Sequence, residues 1–156
     1  MLYIGDLVNT HGIKGEVRII SSFKYKDIVF KVNNYLYIDN LKLKITSYRK
    51  HKNFDMVTFE GYDNINDVLK FKGKKVYIDK SDFDFPGLLN EDLYGKKVYN
   101  NGKYIGVLEE IIKGGSGELL VVRGVKKYLI PYVDEFILNI GEDINLNLIE
   151  GLIDEN

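Results

Sequence analysis

Apolar and polar positions alternate along this chain in runs of four to eight residues bounded by Gly, Asn and Asp, a pattern of strands rather than of long helices. Tyr3–Val8, Glu16–Phe23, Tyr35–Ile38, Leu41–Tyr48, Met56–Glu60 and Lys75–Ile78 are rich in the branched and aromatic residues that suit a pleated surface. The alternation is clearest where Leu41, Leu43 and Ile45 oppose Lys42, Lys44 and Thr46, which assigns the first set to a core and the two lysines to one outer face. Six short strands predict a small barrel. One short helix is expected between the fifth and sixth, with Asp63 or Asn64 as its cap, Ile65, Val68 and Leu69 on one face, and Gly73 closing it.

Residues 79–95 lose this periodicity and contain the Pro86-Gly87 pair, so a linker is placed at 81–95, between a first domain at 1–80 and a second at 96–156. The second domain again reads as strands: Lys96–Tyr99, a turn at Asn100-Asn101-Gly102, Tyr104–Ile112, Glu118–Arg123, Lys127–Val133, and the alternating Ile144, Leu146 and Leu148. A helical turn is expected at Asp134–Leu138. The fold class is therefore all-β, two small barrels in tandem with one short helix.

Charge changes the picture. Residues 1–80 hold 13 Lys and 2 Arg against 7 Asp and 2 Glu, a net of +6, and residues 81–156 hold 6 Lys and 1 Arg against 6 Asp and 8 Glu, a net of −7. A basic half suits a phosphate backbone and an acidic half suits a basic protein. Cysteine is absent, which excludes disulfides, thiolate catalysis and cysteine-ligated metal centres and fits a reducing cytoplasm. No apolar run approaches the length of a membrane span, and Met1-Leu2-Tyr3-Ile4-Gly5-Asp6 lacks the features of a signal peptide. The chain reads as a soluble intracellular protein.

Candidate chemistry concentrates in Asn9-Thr10-His11-Gly12-Ile13-Lys14-Gly15-Glu16-Val17-Arg18. Two glycines three residues apart permit a tight loop, and His11, Lys14 and Arg18 are expected to point outward as contacts for a partner. Arg49-Lys50-His51-Lys52 forms a second basic tip, and its convergence with Lys14 and Arg18 would make one RNA-facing patch. Gly114-Gly115-Ser116-Gly117 leads into the strand-like Glu118–Val122 without a lysine, so it reads as a hairpin connection and not as a phosphate loop. His11 and His51 are the only histidines and share no short ligand spacing, and no serine sits in the strained turn that a hydrolase needs. No catalytic residue, cofactor or metal is assigned.

Taken together, these segments resemble the ribosome maturation factor RimM family over nearly the whole chain. The similarity is carried by Ile4-Gly5 leading to Val8–Val17, by Phe59-Glu60-Gly61, by Lys72–Ile78, by Asp92-Leu93-Tyr94-Gly95 with Val98, by Leu129–Val133, and by Gly151-Leu152-Ile153. The resemblance implies a translation-factor-like six-stranded barrel followed by a PRC-type barrel, in a monomer without enzymatic activity. It implies as partners the small-subunit ribosomal protein nineteen in the head of the 30S subunit and 16S rRNA in immature 30S subunits, with no membrane. The activity implied is assistance to head assembly and 16S rRNA processing. A metal-dependent RNA-processing enzyme and a generic RNA-binding barrel are the alternatives. His11, Lys14, Arg18, Arg49 and Lys50 become candidate rRNA or ribosome contacts, and Leu88, Leu89 and Asp92 candidate contacts for the ribosomal protein. The chain departs from the family at Leu88-Leu89, where paired tyrosines are common, and at Asn66-Asp67-Val68-Leu69, where an Ala-Glu pair is often found.

Overall fold

The computed structural model describes residues 1–148; the family-like Gly151-Leu152-Ile153 lies outside the described residues. The chain forms two compact units, one from Met1 to Pro86 and a second from Gly87 onward.

The first unit contains β1 (Leu2–His11), β2 (Glu16–Ile20), β3 (Tyr35–Ile38), β4 (Leu41–His51), β5 (Phe54–Phe59) and β6 (Lys75–Ile78). They close into a six-stranded barrel, as the strand pattern predicts, in the order β1-β2-β5-β4-β3-β6. Closure leaves no strand edge unpaired. The inward set, which includes Leu7, Val17, Ile19, Leu36, Leu43, Ile45, Val57, Val76 and Ile78, is buried. Leu41 differs from expectation: it begins β4 beside the Asp39-Asn40 turn and is exposed, so the core side of that strand starts at Leu43.

The expected helix is α2 (Ile65–Val68), continued by a 3-10 turn at Leu69–Phe71, and Asn64 is its cap. The Asn64 side chain accepts from the Asn66 amide at 2.8 Å, and Asp67 accepts from the Asn64 amide at 3.3 Å. This cap satisfies two otherwise orphaned N–H groups of a very short helix. Val68 and Phe71 are buried in the barrel core. A further helical turn, α1 (Lys26–Val29), has no side-chain cap and no apolar period and is not visible in the sequence pattern.

Lys26 of α1 reaches the fully buried Asp55 at 2.8 Å, and the Tyr48 hydroxyl donates to the same carboxylate at 2.7 Å. A carboxylate taken out of water is tolerated when its lone pairs are satisfied in this way. Desolvation, followed by the bond to Asp55, pushes the Tyr48 hydroxyl up to about 12. The Tyr3 hydroxyl, bonded to Asp6, is likewise pushed up to about 12, chiefly by that bond. Both groups favour their neutral form more strongly when folded. Their contribution is therefore complete below the ordinary tyrosine value and is lost as pH rises through the folded one. Urea midpoints of the intact protein should hold up to about pH 10 and fall between about 10 and 12. Replacing both residues by Phe should flatten that fall; an unchanged slope in the double variant would contradict the two bonds.

The second unit is a six-stranded sheet made of β7 (Lys97–Asn100), β8 (Lys103–Gly114), β9 (Gly117–Arg123), β10 (Lys127–Pro131), β11 (Ile137–Ile140) and β12 (Ile144–Leu146), in the order β10-β9-β8-β7-β12-β11. Only the β12–β7 pair is parallel among the described residues. Positive φ at both Asn101 and Gly102 gives β7 and β8 the tight two-residue turn that the sequence shows. The helical turn expected at Asp134–Leu138 is a 3-10 turn ending at Phe136, and β11 follows at once. A third helical turn, α3 (Asn90–Leu93), opens this unit and buries Leu93 in its core. The preceding Phe83 and Phe85 pack on the core of the first unit, with Phe85 stacked on Tyr25 at 5.1 Å between ring centroids.

Candidate functional site: a clasped basic loop

β1 and β2 pair with His11 opposite Glu16, so Gly12–Gly15 make the connection between them. Both glycines have positive φ, +68° at Gly12 and +86° at Gly15, but only Gly15 is also crowded. A Cβ there would lie 2.2 Å from the Tyr62 carbonyl oxygen. Beside it the Ile65 amide at the start of α2 donates to the Ile13 carbonyl at 2.9 Å. The loop is thus held against the helix by its backbone, while its side chains are turned outward. Ile13 is 75% exposed and Lys14 is exposed beside it. The loop borders a shallow depression lined by His11, Gly12, Ile13, Lys14, Glu16 and Thr58.

Arg18 does not project freely, contrary to the expectation of an outward basic group. Its guanidinium lies 2.8 Å from His11 Nδ1 and 5.5 Å from the centroid of the Phe54 ring, and it is half-buried. A guanidinium only donates, so Nδ1 is the acceptor and a neutral His11 carries its proton on Nε2. Arg18 Nε is buried and has no hydrogen-bond partner among the described residues. A cation held over an aromatic face keeps its charge while losing much of its mobility.

Arg49 reaches across to β2, where its Nε and terminal nitrogen donate to the two carboxylate oxygens of Glu16 at 2.9 and 2.8 Å. Those bonds hold the Glu16 carboxyl below its ordinary value, and nearby His11 and His51 act in the same direction. The register places Arg18, Met56 and Arg49 in one row across β2, β5 and β4. The structure therefore gathers His11, Arg18 and Arg49 on one wall of the barrel, with Lys14 at the loop beside it. Lys50 is exposed but follows Arg49 directly in β4, so it projects from the other side of the strand and does not join them. Glu16 and Phe54 belong to the cluster and were not assigned from sequence, and His51, a member of the basic tip, joins them. The i, i+2 spacing of Arg49 and His51 on a strand puts these two members of the basic tip on one face.

At the start of the second unit the two leucines separate. Leu88 is 50% exposed, whereas Leu89 is 4% exposed and its amide donates to the Asp92 carboxylate at 2.9 Å. Leu89 is thus committed to burial, while Asp92 is exposed but engaged in holding the first turn of α3, which leaves Leu88 as the exposed apolar member of the three proposed contacts. Among the described residues no group of three or more His, Asp or Glu side chains is placed to hold a metal ion, and no helix is long and apolar enough to cross a membrane.

A closed basic barrel with a backbone-clasped loop, followed by a six-stranded sheet, defines a two-unit all-β protein whose most distinctive surface is a cationic, aromatic-backed wall. Family models agree along the chain: the one described as the RimM N-terminal domain matches residues 2–83, and the one described as the RimM PRC barrel domain matches residues 90–150. The chain belongs to the RimM family. Ribosome maturation factor RimM of Bacillus cytotoxicus is 37% identical to it, and that of Bacillus cereus strain G9842 is 35% identical, each over 96% of both chains. The solution structure of the N-terminal domain of RimM from Thermus thermophilus superposes with a TM-score of 0.47 at 15% identity, covering 55% of this chain and 96% of that one.

Proposed function

We propose that this chain is a non-enzymatic, cytoplasmic ribosome maturation factor that binds the immature small subunit and assists head assembly and 16S rRNA processing. The observation that carries this reading is the match of both units to the two RimM domains, with relatives named ribosome maturation factors that are similar over 96% of the chain. The clasped loop supplies a means. Lys14 and Arg18 have no carboxylate partner among the described residues, whereas Arg49 is neutralised by Glu16, so the first two are the phosphate-facing groups of the wall. Lys50 lies apart and contributes at most to general attraction.

The work is differential binding. A factor that binds one folding state of the subunit more tightly than another shifts the population by that difference, with no chemical step. The second unit is assigned the contact with the small-subunit ribosomal protein nineteen, through exposed Leu88 ahead of α3. Leu88→Asp should weaken binding of that purified protein about fivefold in calorimetry, since an exposed apolar anchor is lost while the fold is untouched. Leu89→Asp should instead unfold the start of the unit. Equal affinity for Leu88→Asp and the unaltered protein would remove Leu88 from the contact.

A further inference from the structure

We propose that the outer wall of the first barrel, where Tyr3, Tyr77 and Tyr37 stand side by side on β1, β6 and β3, is a stacking platform for unpaired bases of single-stranded RNA, with Lys42 and Lys75 taking the flanking phosphates. This rests on the reading of the chain as an rRNA-binding maturation factor and gives it a second RNA contact, separate from the loop.

The row follows from register. Tyr3 is opposite Tyr77, Tyr77 is opposite Tyr37, and Tyr37 is opposite Lys42. Directly opposed residues of neighbouring strands share a face. The adjacent Ile4, Val76, Ile78, Leu36 and Ile38 are buried in the barrel core, so alternation turns the three rings outward. Tyr3 is 47% exposed, and Tyr37 and Tyr77 are half-buried. Tyr3 and Tyr77 meet edge to face at 6.0 Å between centroids, and the bond from the Tyr3 hydroxyl to Asp6, at 2.6 Å, fixes that ring.

The cations are set among the rings. Lys75 Nζ lies 5.4 Å from the Tyr3 centroid and Lys42 Nζ lies 4.4 Å from the centroid of neighbouring Tyr35. Neither lysine makes an ion pair among the described residues; of the carboxylates nearby, Asp6 is engaged by Tyr3, Asp39 by Lys74 at 3.7 Å, and Asp79, near enough to Lys42 to feel its charge, by the Ser81 amide and hydroxyl. Tyr37, Tyr77 and Lys75 also line an open groove on this wall with Met1, Asp39 and Asn40. Flat aromatic faces on adjacent strands take bases of any identity, and flanking cations track the backbone. An aromatic groove also suits a proline-rich peptide. The net charge of +6 on residues 1–80 and the two unpaired lysines favour the anionic ligand. Tyr3 lies near one end of β1 and His11 at the other, about 26 Å apart along an extended strand, so the platform and the loop are distinct places on the barrel.

The test measures anisotropy of a fluorescein-labelled 12-residue oligouridine with the full chain at low salt, beside a duplex RNA of equal length. The unaltered protein should prefer the single strand. Tyr3→Thr with Tyr77→Thr should weaken it about tenfold. No binding by the unaltered protein overturns the platform, as does unchanged affinity in a folded tyrosine variant, or capture of a proline-rich decapeptide in preference to the oligouridine. If the tyrosine variant fails to fold, Lys42→Gln with Lys75→Gln, both at exposed positions, must weaken binding at least severalfold, and no loss there overturns the proposal. Co-sedimentation of the unaltered protein with immature subunits separates the two readings: if it persists while oligouridine binding is absent, only the platform fails; if it is absent while tyrosine-dependent binding persists, the maturation role fails.

Discussion

Gly15→Ala is expected to destabilise the first unit by about 3 kcal/mol, whereas Gly12→Ala should cost about 1 kcal/mol. Both residues have positive φ, and both substitutions incur that conformational penalty. The difference is space. Nothing lies within 4 Å of a Cβ at Gly12, but one at Gly15 would be driven into the Tyr62 carbonyl at 2.2 Å. The neighbour is backbone at the approach to α2, so it yields only by moving the helix, and the bond between the Ile65 amide and the Ile13 carbonyl goes with it. Urea unfolding of the full chain should show the first transition displaced strongly in one variant and weakly in the other. Equal displacements would mean that the loop is not clasped. Because the clasp fixes where Lys14 stands, folded Gly15→Ala should also bind immature subunits more weakly than Gly12→Ala.

Lys14→Glu with Arg18→Gln should weaken association with immature small subunits by about thirtyfold at low salt, and should lower the slope of log affinity against log salt by about 1.8, two phosphate contacts' worth. Gln is chosen at position 18 because the side chain is half-buried between His11 and Phe54, beside Glu16, where a second carboxylate would be repelled and poorly solvated. Arg49→Gln is the informative companion. Its charge is already spent on Glu16, so removing it frees a carboxylate on the wall and should weaken binding through that new negative charge. Removing both Arg49 and Glu16 should restore most of the loss. A salt slope unchanged by the Lys14 and Arg18 substitutions, in protein that remains folded, would take RNA phosphates away from this loop.

Much of this was legible in the sequence because its causes are local. Strict alternation, as in Leu43, Ile45 and their lysine neighbours, names a strand and its inner face without reference to anything distant. The Asn64 cap and the Asn101-Gly102 turn are similarly decided within a few residues. β11 was missed because its exposed residues, Leu138 and Asn139, sit between half-buried ends and break the period of two. α1 was missed because it lasts one turn, lacks a cap, and owes its place to Lys26 meeting a buried Asp55 far along the chain.

The site shows the same division. Two glycines and a cluster of basic residues marked the loop, but which glycine touches backbone depends on Tyr62, and which cation remains available depends on Glu16 and His11. Leu88 and Leu89 are chemically identical in sequence and differ only by which side of the chain the fold buries. The tyrosine row was hidden for the same reason: Tyr3, Tyr37 and Tyr77 are remote in sequence and become neighbours only through the closure of the barrel.

Co-sedimentation of the full chain with purified immature and mature small subunits, across a salt series, tests the proposed role most directly. Saturable pelleting with immature subunits is expected, at least tenfold tighter than with mature ones and weakening as salt rises. Equal affinity for both kinds of subunit, or no pelleting with either, would contradict the role.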